Sequence, residues 1–117
     1  MDLEYAMIVC FKFGFADDLV QSLIELASAN WHEQHENVAS ALGTLRSPLS
    51  VEALIHLAEW VPSYLEFDDA RALAVKAIWA LDGIGTAEAR QALETLSRSD
   101  NANIAQNAKA RLSGQPD

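Results

Sequence analysis

The stretch ALDGIGTAEARQAL, residues 80–93, decides the fold of this chain. It places two glycines and a threonine between two short apolar segments rich in Ala and Leu. Gly83 and Gly85 are predicted to end one helix, and Thr86 is predicted to cap the next. A similar stretch, ALGTLRSPLSVEAL, occupies residues 41–54, so the pattern repeats along the chain.

Two offsets describe the repeat. At an offset of 39 the matched pairs are Ala41/Ala80, Leu42/Leu81, Leu45/Ile84, Ala53/Ala92, Leu54/Leu93 and Leu57/Leu96. At an offset of 31 they are Ala74/Ala105, Ala77/Ala108 and Leu81/Leu112. The difference of eight residues equals the length of VPSYLEFD, residues 61–68, which indicates a unit of 31 residues with one inserted loop. Internal periods of this size are typical of stacked helix pairs that share a continuous core.

Capping residues and apolar stripes at helical spacing predict the individual helices. The predicted helices run from an Asp17 cap to about Asn30, from Trp31 or Glu33 to Leu45, from a Ser50 cap to Trp60, from an Asp68 or Asp69 cap to Leu81, from a Thr86 cap through Glu88 to Ser97, and from an Asp100 or Asn101 cap to Leu112. Residues 1–16 form an N-terminal element, in which 2–13 could be helix or strand. Residues 113–117 are predicted to be a frayed tail. With 117 residues, the whole chain is expected to form a single domain.

The segment at residues 80–93 resembles the HEAT-like repeats of the phycobilisome-lyase type, whose pattern is roughly A-L-G-x-I-G-x-x-x-A-x-x-x-L. Residues 41–54 depart from this pattern, because Leu45-Arg46-Ser47-Pro48 stands where the family has an I-G turn. The resemblance covers about residues 17–112. It implies an all-α fold, a short right-handed α-solenoid of antiparallel helix pairs, and protein binding. Lyase activity is not carried over, because Cys10 lies outside the repeats and no pocket chemistry is visible.

A narrower resemblance rests on WHEQHE at residues 31–36, the acidic loop at 64–69 and ALAVKAIWAL at 72–81. This combination is similar to small bacterial HEAT-repeat proteins that are candidate immunity partners of polymorphic toxins. It implies a non-enzymatic protein that binds and neutralises a cognate toxin domain. The alternative is a housekeeping adaptor or assembly factor with the same fold.

The charge is negative and unevenly distributed. The formal net charge is −9, and residues 1–69 contain twelve acids but only the bases Lys12 and Arg46. Direct binding to nucleic acid is therefore not expected, whereas a basic partner would be steered to this half. A merely solvated acidic surface is the alternative.

The sequence also indicates where the protein works. No run of about 18 apolar residues is present, so no membrane contact is expected. The acidic N-terminus is unlike a secretory signal, and the one cysteine, Cys10, cannot form an internal disulfide. We therefore expect a cytoplasmic protein.

The histidines do not predict a metal site. His32 and His35 are three residues apart, whereas the zinc-protease motif H-E-x-x-H separates its histidines by four. The other possible soft ligands, His56 and Cys10, have no recognisable ligand spacing. No metal or other cofactor is expected.

No catalytic centre is visible either. Glu33 with Glu36, or Asp68 with Asp69, could act as an acid–base pair, but acids at helix starts are more simply explained as caps. The chain contains no G-x-S-x-G elbow, P-loop or G-x-G-x-x-G motif. The protein is therefore predicted not to be an enzyme.

Aromatic and charged side chains around the start of the second helix and the inserted loop form the predicted partner-binding surface. This surface comprises Trp31, His32, His35, Glu36, Tyr64, Glu66, Asp68, Asp69, Arg71 and Trp79. The polar side chains of WHEQHE are expected to face the partner. Trp79 is either an exposed anchor or packed against the neighbouring repeat, and Trp31 could instead be a core staple at the helix entry.

Overall fold

The computed structural model describes residues 16–30, 33–66, 68 and 71–114. Its helices are α1 (Ala16–Ser28), α2 (His35–Leu45), α3 (Val51–Glu59), α4 (Ala72–Ile84), α5 (Ala87–Leu96) and α6 (Ala102–Leu112). Within these ranges every regular element is helical, which confirms the predicted all-α class. The choice between helix and strand at 2–13 and the positions of Trp31, His32 and Asp69 lie outside the described residues.

Three helix boundaries follow the chemistry read from the sequence. Thr86 Oγ1 accepts a hydrogen bond of 3.2 Å from the N–H of Ala89, and Asn101 Oδ1 accepts one of 3.2 Å from the N–H of Ile104. Gly85 ends α4 in the left-handed conformation, with φ 69°. The prediction that α4 stops at Leu81 is wrong by one turn, because α4 continues through Gly83 to Ile84.

The start of α3 differs from the expected serine cap. Ser50 precedes α3, but its hydroxyl is buried without a hydrogen-bond partner. Ser47 Oγ instead accepts a hydrogen bond from the N–H of Leu49 and opens a 3-10 turn, Pro48–Ser50, that leads into the helix. Pro48 explains the earlier start, since proline is favoured in the first turn, where its missing N–H costs no helical hydrogen bond.

The start of α4 uses the predicted aspartate in an unexpected position. Asp68 Oδ2 accepts a hydrogen bond of 3.0 Å from the N–H of Ala72, which confirms its capping role. The residue directly before the helix, however, is Arg71, in the left-handed conformation with φ 55°. Asp68 can therefore satisfy the first helical N–H from four residues upstream.

Helix α4 lies at the centre of the packing. It contacts α2, α3, α5 and α6, while α1 packs on α2 and α3, and α5 packs on α6. Its buried residues are Leu73, Ala74, Ala77, Ile78, Ala80 and Leu81. The core extends from α4 to the buried stripes of the other helices, including Leu23, Leu42, Leu54, Leu93 and Ile104. One continuous hydrophobic cluster therefore joins all six helices.

Helices α2 and α4 run in the same direction. Glu36 near the start of α2 lies beside Lys76, Gly43 lies beside Ala80, and Arg46 after the end of α2 approaches Gly83. The radius of gyration is 13.8 Å, close to the roughly 13 Å expected for a compact chain of this length. Within the described ranges, every helix is too short or too polar to cross a bilayer.

Gly43 sets how closely α2 and α4 approach. A Cβ atom added at Gly43 would lie 3.0 Å from Ala80 Cβ and 3.2 Å from Ala80 Cα. One of these atoms is backbone, so the two helices would have to separate to make room. Because α4 packs against four other helices, such a shift would disturb packing beyond this one contact.

We expect Gly43→Ala to lower the free energy of unfolding by about 1–2 kcal/mol, because overpacking between the helices outweighs the gain in helix propensity. Urea denaturation followed by circular dichroism measures the change. Gly83→Ala is the matched control, because an added Cβ there has its nearest neighbour at 3.9 Å. It should be neutral or stabilise by up to about 1 kcal/mol. Equal stability of the two variants would contradict the close approach.

Candidate functional site

His35, one of the predicted partner-binding residues, is fully buried at the first position of α2. Its Nδ1 lies 2.7 Å from Tyr64 Oη, and its Nε2 lies 2.7 Å from the carbonyl oxygen of Ala29. The expectation that its side chain faces a partner is therefore wrong. The side chain is enclosed because polar groups from two other segments bind both of its ring nitrogens.

The hydrogen-bond geometry assigns a role to each group. The Ala29 carbonyl can only accept, so Nε2 carries a proton and donates it to that carbonyl. In the neutral ring Nδ1 accepts from the Tyr64 hydroxyl, and this hydroxyl itself accepts a hydrogen bond of 3.2 Å from the backbone N–H of His35. This network ties the end of α1, the start of α2 and the 61–68 loop together.

Aromatic rings enclose this network. The Trp60 ring meets the His35 ring edge-on, with centroids 4.9 Å apart, and His56 stacks on Trp60 at 5.0 Å. Trp60 and Tyr64 thus lie beside the start of α2, where the sequence predicted an aromatic cluster. The Trp60 ring packs against His35 and His56, and the Tyr64 ring packs against His35. These contacts stabilise the attachment of the 61–68 loop to the start of α2.

Tyr64 has an altered acidity at this position. Burial raises the pKa of its hydroxyl, the hydrogen bond from the His35 N–H lowers it, and the nearby charges of Glu36 and Glu33 raise it further. The net result is a pKa above the usual 10.0. The hydroxyl therefore keeps its proton to a higher pH than that of a free tyrosine.

An open groove lies between α2 and α4, on another part of the surface. We call it the α2–α4 groove; its volume is about 640 Å³. Its lining includes Ser40, Gly43, Thr44, Arg46, Lys76, Trp79 and Gly83. Trp79 is 45% exposed, so of the two alternatives for this residue the structure has the exposed side chain. The guanidinium of Arg111 lies over its ring, 5.7 Å from the centroid.

The charged side chains in and beside the α2–α4 groove are mostly cationic. Lys76 Nζ lies 3.4 Å from Glu36 Oε1, and Arg111 is 3.9 Å from Asp82 Oδ2. Arg46 is exposed, and its guanidinium forms no ion pair with any other residue that the structure describes. It therefore introduces an unbalanced positive charge into a strongly acidic protein.

The structure divides the predicted binding surface into two parts. Tyr64 and His35 form the internal network, and Asp68 caps α4, while Glu66 is exposed on the loop. Trp79 lines the α2–α4 groove. Glu36 lies beside this groove, because it forms an ion pair with the lining residue Lys76. Arg71 occupies the left-handed position before α4.

Sequence reasoning missed Arg46 as a groove residue. The available signal was its position, where the resembled repeat pattern has the I-G turn. Arg46 adopts the left-handed conformation, with φ 52°, that glycine would normally occupy after a helix. This conformation directs the chain out of α2 and leaves the side chain near Gly83, whose hypothetical Cβ would lie 3.9 Å from Arg46 Nε.

Across the described part of the chain, no three His, Cys, Asp or Glu side chains are grouped so that they could hold a metal ion. Comparison of the chain with family models, curated proteins and solved structures finds no match. The functional proposals therefore depend on the geometry and charge of the chain itself.

Replacing Tyr64 by Phe should destabilise the protein by about 1–3 kcal/mol, because the hydrogen bonds of Nδ1 and the backbone N–H of His35 to the Tyr64 hydroxyl are both lost in a buried site. Urea denaturation measures the loss. Trp79→Phe, an aromatic substitution at an exposed site, should stay within about 0.5 kcal/mol of the wild type. A Tyr64→Phe variant as stable as the wild type would show that the network contributes nothing.

The raised pKa of Tyr64 also predicts a pH dependence. Above pH 10 the unfolded chain releases this proton before the folded chain does, so wild-type stability falls as the pH rises from 10.0 through the higher folded-state pKa. Tyr64→Phe should lack this component of the loss. Urea midpoints of both proteins at a series of pH values from 9 upward, with about 10 as the onset, measure the difference. Parallel curves for the two proteins would contradict the shift.

Proposed function

We propose that this chain is a non-enzymatic protein-binding module of the short α-solenoid type, and that it is an immunity protein that binds and neutralises a cognate bacterial toxin domain. The observation that carries the proposal is the division of charge among the helices. Helices α1, α2 and α3 contain acidic residues but no Lys or Arg. Such a surface favours a basic partner by accelerating encounter and by matching its potential.

The order of helix contacts supports a solenoid. The main contacts link each helix to the next one or to the one after it, as in α2 with α4, α4 with α6 and α1 with α3. Parallel packing of α2 on α4 fits two rows of helices in which alternate members face the same side. Repeat arrays of this kind use an extended row of helices as a binding surface.

The exposed acids are placed where a partner can reach them. Glu52 and Glu59 are both exposed on α3 and lie two helical turns apart, hence on one face. Glu25 is exposed on α1, which packs against α3, and Glu66 is exposed on the 61–68 loop. A basic protein domain would meet several of these carboxylates together.

Inhibition would follow from coverage of the partner's surface. A toxin that acts on a polyanion such as nucleic acid needs a cationic substrate site. An acidic module bound over that site competes for the same charges, so it requires no catalytic group. A housekeeping adaptor could use the same surface, but its partner would not be toxic when expressed alone.

Co-expression with the product of the adjacent gene tests this proposal. We expect that product to inhibit growth alone, to be harmless in the presence of this chain, and to co-purify with it in a complex whose affinity falls as salt is raised. A non-toxic neighbour that still binds would support the adaptor instead. A neighbour that neither inhibits growth nor binds would overturn the immunity proposal.

Paired glutamate substitutions test the charge argument. Glu52→Gln with Glu59→Gln should weaken the complex at low salt by about fivefold or more, mainly through slower association. Glu88→Gln with Glu94→Gln is the matched control, because both of these acids are exposed on α5 and one lies in the first turn, as Glu52 does in α3. The control should change affinity by less than about twofold. Equal effects of the two pairs would rule out a specific role for the first three helices.

A further inference from the structure

We propose that the α2–α4 groove binds an extended acidic segment of a partner protein, with a carboxylate on Arg46 and an apolar side chain of the segment against Trp79. This site differs from the acidic surface of α1–α3 in the sign of its charge, although α2 contributes to both. It would take a ligand of different chemistry.

The charges in the groove determine the sign of the ligand. Lys76 and Arg111 each have an anionic neighbour within the protein, at 3.4 Å and 3.9 Å. Arg46 has none among the described residues, so a carboxylate from outside would complete its pairing. A basic segment would be repelled by all three cations. It could form ion pairs here only by displacing Lys76 from Glu36 or Arg111 from Asp82.

The shape of the groove favours an extended segment. Its volume of about 640 Å³ is open to solvent along the line where α2 and α4 lie parallel. Gly43 and Gly83 have no side chains to fill the floor, and Ser40 and Thr44 are small and polar. Gly83 in particular leaves space beside Arg46, where a longer side chain would project toward the guanidinium.

Trp79 supplies the apolar contact. It is one of three large hydrophobic side chains that the described residues expose, and it lines the groove. A half-exposed tryptophan beside an arginine offers both a large contact area and a cation–π neighbour, which is typical of residues that dominate binding energy. An acidic segment with an aromatic or leucine side chain would use both features.

A polyanion such as nucleic acid is less well matched to the groove than a short peptide. The whole chain carries a net charge of −9, so a long run of phosphates would be repelled by the rest of the protein. A segment with a few carboxylates can lie within the groove, whose lining includes none of the exposed acids Glu25, Glu52 and Glu59. The inference does not rest on the immunity proposal, and each can fail without the other.

The test uses ¹⁵N-labelled full-length protein and a capped nonapeptide in which Glu alternates with Phe and Leu. Two further peptides replace every Glu by Gln or by Lys. We expect the Glu peptide to shift the indole N–H signal of Trp79, assigned with Trp79→Phe, and to bind about fivefold or more tightly than the Gln peptide at low salt. Tighter binding of the Lys or Gln peptide would overturn the proposal, as would shifts confined to residues outside the groove.

Matched variants locate the site. Arg46→Gln should weaken the Glu peptide about fivefold, whereas Arg98→Gln removes the same charge from an exposed position between α5 and α6 and should have less than about a twofold effect. Gly83→Leu should block the groove without removing charge, while Gly83→Ala should leave it open. Circular dichroism and urea denaturation check that each variant is folded. Equal weakening by Arg46→Gln and Arg98→Gln, or full binding by Gly83→Leu, would overturn the assignment.

Discussion

Burial of α4 on several sides is the constraint on which the rest of this structure depends. Helices α2, α3, α5 and α6 all pack against it, so its surface must be apolar over most of its circumference. A helix with that many neighbours needs small side chains where they approach closely. Ala80 opposite Gly43 meets this need, because the two helices come so near that an added Cβ would lie only 3.0 Å from Ala80 Cβ. The same short separation aligns α2 and α4 side by side and makes the groove between their outer edges.

The connection between α1 and α2 depends on a second, polar constraint. His35 could not be buried without partners for its ring nitrogens and its backbone N–H. The carbonyl of Ala29 and the hydroxyl of Tyr64 provide them, and the 61–68 loop is thereby attached to the start of α2. The 61–68 loop, which interrupts the repeat in sequence, is thus linked through His35 to the end of α1 and the start of α2. Its acidic residue Glu66 remains exposed, so the loop supplies surface charge as well as an internal anchor.

The molecule presents two surfaces of opposite electrostatic character. The acids of α1–α3 are unaccompanied by Lys or Arg within those helices, whereas the groove carries Lys76, Arg46 and the neighbouring Arg111. Lys76 pairs with Glu36 across the boundary between the two. The proposed basic partner and the proposed acidic segment would therefore contact differently charged parts of the molecule.

The sequence alone determined the helical class, the repeated apolar stripes and several caps, because each depends on residues within a few positions of one another. Thr86 reaches Ala89, and Asn101 reaches Ile104, by hydrogen bonds that span only three positions of the sequence. Only the tertiary structure decided that His35 is internal, since its partners lie 6 and 29 positions away. It likewise placed Arg46 beside Gly83 and Trp79, through the parallel packing of α2 on α4. Side chains that lie far apart in sequence form a site only when helix packing brings them together. The residue pattern within one helix does not indicate which residues of another helix it will contact.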